Sequence, residues 1–126
     1  MPIKVEMIRE NKVVLQTYSE PLKSTDMTIL RNQMENVILP SASGKVHVIA
    51  DLRDIQNLPG TILSSGSGML RTPHPNTGQI IFITSNGFVS AMANIFAKLA
   101  PKQSVIAARS LEEAYKEVDA LLAQGN

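Results

Sequence analysis

Cysteine and tryptophan are absent from this 126-residue chain, aromatic residues make up only 4% of it, and acidic and basic side chains nearly cancel. Without cysteine there is no disulfide framework, no thiolate nucleophile and no zinc site built on sulfur. Its two histidines cannot complete a zinc site without carboxylates. A formal charge of +1 supplies no broad attraction to nucleic acid or to a membrane surface. The few aromatics are not interleaved with Arg or Lys, so base stacking has little to work with and nucleic-acid binding is disfavoured. Apolar runs such as Ile80 to Ile83 fall far short of the ~20 residues that span a bilayer, and the opening MPIKVEMIREN has no signal-peptide core. A cytoplasmic protein with no membrane span is expected.

What is present is a 44% hydrophobic chain of one-domain length. Ile3, Val5 and Met7 alternate with Lys4 and Glu6, the period of a half-buried strand. Arg9 to Lys12 can turn the chain into a second run ending at Tyr18, which predicts an antiparallel hairpin. Ser24 or Thr25 then offers a hydroxyl cap to a helix from about Thr25 to Ile38. Met27, Leu30, Met34, Val37 and Ile38 form its apolar stripe, and it stops before Pro40.

From Lys45 onward strands and helices alternate. Val46 to Ala50 reads as a strand, Leu58 to Leu70 as a helix weakened by Gly66 and Gly68, and Gln79 to Thr84 as a strand covered on both faces. Asn86 can cap a third helix with the stripe Phe88, Met92, Ile95, Phe96 and Leu99, ended by Pro101. Ser104 to Ala108 is the last strand. Ser110 and Glu113 have capping-box spacing ahead of a final helix carrying Leu111, Ala114, Tyr115, Val118, Leu121 and Leu122. The order β-β-α-β-α-β-α-β-α implies a single-domain α/β fold over residues 1–126. Its mixed sheet joins a hairpin to a parallel core.

In such a sheet ligands favour the crevice beyond the carboxyl ends of the parallel strands. The longest loop there begins at Asp51 and holds Arg53, Asp54, Gln56 and Asn57. Pro59-Gly60 then leads to Thr61, Ser64 and Ser65 in the opening turns of the second helix. Asn86 lies in a neighbouring loop. A hydroxyl at a helix N-terminus feels positive potential, which makes Thr61 the candidate phosphosite, although lone capping hydroxyls are of weak specificity and the plainer reading is a helix-terminal residue in a cap-rich loop. Ser64 to Gly68 matches neither a P-loop nor a dinucleotide fingerprint. His74, between two prolines, reads as part of a turn completed by Asn76, Thr77 and Gly78. His47 reads as a strand residue with a local hydrogen bond. No triad, paired-carboxylate or metal grouping is recognisable, so neither catalysis nor a cofactor is expected. Residues 55–111 carry four basic side chains and no acidic one, whereas residues 112–126 carry one basic and four acidic.

This arrangement resembles the SpoIIAA-like, or STAS-like, group that includes bacterial anti-sigma-factor antagonists. The resemblance covers about residues 3 to 123 and rests on element order together with Val46-His-Val-Ile-Ala-Asp-Leu-Arg-Asp-Ile55. Antagonists carry an Asp-Ser-Ser-Gly-like motif in the following loop, whose first Ser a partner kinase phosphorylates. Laid on this chain the motif falls on Pro59, Gly60, Thr61 and Ile62, so the acceptor hydroxyl is missing unless Thr61 serves by a one-residue shift. The resemblance implies a noncatalytic regulatory module. Its partner-docking surface would comprise Asp51, Asp54, Asn57, Gly60, Thr61, Ser64 and Ser65, with Asn86 alongside. The alternative is a small-ligand or lipid-binding protein with an apolar pocket lined by Met27, Leu30, Met34, Phe88, Met92 and Phe96. A homodimer is a general expectation for such a domain.

Overall fold

The computed structural model describes residues 3–55, 75–83 and 105–124. Strands β1 (Ile3–Ile8) and β2 (Val13–Tyr18) form the expected antiparallel hairpin, with Ile3 opposite Tyr18 and Ile8 opposite Val13. Strands β3 (Val46–Asp51), β4 (Thr77–Ile83) and β5 (Val105–Ala108) continue the sheet in chain order, each parallel to its predecessor. The sheet is therefore mixed, as the hydrophobic spacing predicts. Among the described residues there are two helical segments, α1 (Ser24–Gln33), which runs on into a wider turn, and α2 (Leu111–Ala123). The helices predicted over 58–70 and 86–99 lie outside the described residues.

The continuous apolar character of the parallel strands is explained by burial on both sides. Val14, Val48, Ala50, Ile80 and Phe82 pack with Met27 and Leu30 of α1 and with Met34 at the start of the wider turn that follows it. The intervening Val13, Leu15, Ile49, Ile81 and Ile83 pack with Ala114 and Val118 of α2.

Local chemistry corrects several sequence expectations. The cap of α1 is the extended Lys23, not Ser24 or Thr25, because the Asp26 carboxylate reaches back to accept the Lys23 N–H at 2.9 Å. After Gln33 the helix widens into a π turn, Met34–Ile38, closed by the Leu39 N–H donating to the Met34 carbonyl at 2.9 Å. That wider turn rotates Val37 outward, leaving it 59% exposed, and brings Leu39 into the core in its place. Strand β4 begins at Thr77, two residues before the expected start, so Thr77 and Gly78 belong to the ladder and not to a reversal. Asn76 makes the turn and holds two elements, its side-chain amide donating to the Leu39 carbonyl and its own carbonyl accepting the Val46 N–H.

His47 occupies a break in the β3–β4 register, where Gly78 and Gln79 together oppose one residue. Its Nδ1 accepts the Gln79 N–H at 2.8 Å, the local hydrogen bond expected from sequence. At the far end of the chain, Ser110 caps α2 by accepting the Glu113 N–H at 3.1 Å. The Glu113 carboxylate reaches past Ser110 to the Arg109 N–H instead of closing the box. The hairpin turn is tied to α2 by Arg9, whose guanidinium bonds Asp119 at 2.8 Å and lies 4.8 Å from the Tyr115 ring centroid. No helix among the described residues is long and apolar enough to cross a membrane.

Candidate functional site: the carboxyl end of the central strand

Strand β3 lies at the middle of the sheet, with Thr17 of β2 and Ile83 of β4 flanking its last residue, Asp51. The ladder runs one step further through the Leu52 N–H, which donates to the Ile83 carbonyl at 2.9 Å. The chain then closes a turn in which the Ile55 N–H donates to the Leu52 carbonyl at 3.0 Å. Leu52 and Ile55 drop into the core on the α1 face, while Arg53 and Asp54 between them stay exposed. Burying two apolar side chains three positions apart fixes the intervening backbone, so the two charged residues project from a constrained base.

Asp51 is buried, and both of its carboxylate oxygens are engaged by Arg53. Arg53 Nε donates to one oxygen at 2.9 Å, Nη2 to the other at 2.7 Å, and the Arg53 backbone N–H adds a bond at 3.2 Å. Burial pushes the Asp51 carboxyl up, but the side-chain bonds, backbone bond and charge of Arg53 together outweigh it and hold it below the ordinary carboxylate value. The same pair raises the Arg53 pKa, through its hydrogen bonds to Asp51 against some desolvation. A two-pronged pair of this kind fixes guanidinium orientation. The Asp51 side chain thus positions Arg53 instead of offering its own oxygens outward. The sequence placed Arg53 in this loop without a role, although an Asp-x-Arg spacing at the end of a buried strand was the available signal.

Beside this end of the sheet, the Tyr18 hydroxyl donates to Gln16 Oε1 at 2.8 Å, both residues being buried. Burial raises the Tyr18 phenol well above its ordinary value. Of the predicted docking residues, Asp51 and Asp54 are brought together with Arg53. Asn57, Gly60, Ser64, Ser65, Asn86 and the candidate phosphosite Thr61 lie outside the described residues, as does His74. Of the predicted apolar pocket, Met27, Leu30 and Met34 are core residues packed against the sheet. Phe88, Met92 and Phe96 lie outside the described residues. Among the described residues no three His, Asp or Glu side chains gather as metal ligands. Compared with protein-family models and with curated proteins, the chain matches none.

Proposed function

We propose that this chain is a noncatalytic, STAS-like regulatory module that docks a partner protein through the segment from Asp51 to Ser65. The observation that carries the reading is the construction of its first five residues. Asp51 locks the Arg53 guanidinium while Leu52 and Ile55 anchor the backbone, so a pre-oriented Arg53 stands beside the exposed Asp54. Recognition by a preformed surface avoids the ordering cost that a mobile loop would pay on binding. The hairpin followed by parallel strands in chain order is compatible with the SpoIIAA-like resemblance. Thr61 is the proposed phosphoacceptor of the segment.

The test uses the intact chain as bait, beside a variant carrying Thr61→Trp and Ser65→Trp. Proteins held only by the wild type are identified, purified and titrated against both baits. The reading expects at least tenfold weaker binding to the variant, with its thermal unfolding unchanged. Equal affinity for both baits would reject this surface.

A further inference from the structure

We propose that β1 is a self-recognition edge through which a second copy of this chain pairs antiparallel, centred on Val5, to extend the sheet across a twofold axis. Among the described residues β1 has β2 on one side and no strand on the other, which leaves its outward N–H and C=O groups without a strand partner among them. It pairs with β2 over its whole length without a register break, and it carries no proline or bulge to blunt the edge. Met7 is 37% exposed, an apolar side chain that its own sheet leaves uncovered.

The identity of the occupant follows from charge and pleat. Lys4 and Glu6 point to one side of the strand, already 3.5 Å apart as an exposed ion pair, while Ile3, Val5 and Met7 point to the other. An antiparallel twofold through Val5 sets Lys4 of each copy opposite Glu6 of the other, and Ile3 opposite Met7. Directly opposed residues project from the same face, so charge meets opposite charge and apolar meets apolar. Neighbouring registers do not. An axis through Lys4 or Glu6 sets a charge against itself, and an axis between residues is excluded by the pleat, because it would oppose Val5 to Lys4 or Glu6, which project from the other face. The six-residue strand is thus complementary to itself in one register, as an isologous interface requires.

Sedimentation equilibrium of the full chain, from about 5 to 500 µM, reads the dimer directly. Lys4→Glu and Glu6→Lys each place like charges opposite one another and are expected to raise the dimer dissociation constant about tenfold. The two single variants mixed together, and the double swap K4E/E6K by itself, restore complementarity and are expected to dimerise as the wild type does. Val5→Cys, the chain's sole cysteine, is expected to form a disulfide-linked dimer when treated with diamide, which takes up the two electrons and two protons that the paired thiols lose. A wild type monomeric throughout this range would overturn the proposal. So would a dimer that neither single variant weakens, or single variants that stay apart when mixed. All these positions are remote in sequence from Asp51 to Ser65, so failure here leaves the docking segment unaffected.

Discussion

The imidazole of His47 stands directly over Gly78, where an added Cβ would lie 2.5 Å from Nδ1 and 3.2 Å from the Val46 carbonyl. At this break in the ladder the side chain of one strand replaces a backbone acceptor for the next, since Nδ1 takes the Gln79 N–H. Gly78→Ala is therefore expected to cost about 2 kcal/mol through overpacking. His47→Ala, which removes this acceptor and opens a cavity, is expected to cost about 2 to 3 kcal/mol. Combined, the two changes are expected to cost less than their sum, because the added methyl then has room. Urea unfolding of the three variants measures the coupling, and strict additivity would contradict the packing described.

Acid stability reports the bond between Asp51 and Arg53. A carboxyl held below its ordinary value of 3.8 contributes stability that is present above that pH and is lost as the pH falls through the folded value. Asp51→Asn is expected to destabilise by about 1 kcal/mol at pH 7, discounted for the exposed guanidinium, and to flatten the acid limb. In Arg53→Met the burial of Asp51 is opposed only by the backbone N–H of residue 53, so its carboxyl rises above the ordinary value and the variant, destabilised at pH 7, is expected to regain stability relative to wild type as the pH falls and the carboxyl takes up a proton. Denaturant midpoints between pH 3 and 7 give the comparison.

At the alkaline end the buried Tyr18 hydroxyl governs one component. Its folded pKa is raised above the ordinary value of 10, so the folded state keeps a proton that the unfolded chain releases. The resulting stability is complete below pH 10 and is expected to fall by about 1.4 kcal/mol per pH unit as the pH rises above it. Tyr18→Phe removes that slope. The difference between the two alkaline unfolding curves isolates it from the lysines.

The hairpin turn places Arg9, Glu10 and Asn11 at φ of 52°, 57° and 64°, three successive residues in the left-handed region. Non-glycine residues other than Asn and Asp pay about 1 to 2 kcal/mol there. Arg9 is held by Asp119 and Tyr115, but Glu10 is exposed. Glu10→Gly is expected to stabilise by about 0.5 to 1 kcal/mol after the added unfolded-state entropy, read as a raised melting temperature.

The elements that the sequence makes legible are those whose burial is uniform along their length. Alternation in Ile3 to Met7 and the apolar runs at Val46 and Ile80 announce a hairpin and a parallel core, because a sheet's side-chain period is insensitive to its surroundings. Where one residue changes the local geometry, the reading slips. A regular 3.6-residue period puts Val37 in the core, whereas the π turn delivers Leu39. Hydroxyl preference points to Ser24 or Thr25 as the cap, whereas the carboxylate of Asp26 selects Lys23. Glycine at 78 suggests a turn, but its missing Cβ is what admits His47. At the candidate site, the crowding of charge after Asp51 was visible. The inward turn of Asp51 onto Arg53 depends on the tertiary burial of Leu52 and Ile55, which no local pattern encodes.

The docking claim is tested most directly by placing a photo-crosslinking residue at the exposed Asp54 of the intact chain, with the same residue at the exposed Glu117 of α2 as control. Irradiated with the purified partner, the chain is predicted to give one discrete adduct from position 54 and none from position 117. Adducts from 117 with none from 54 would contradict it.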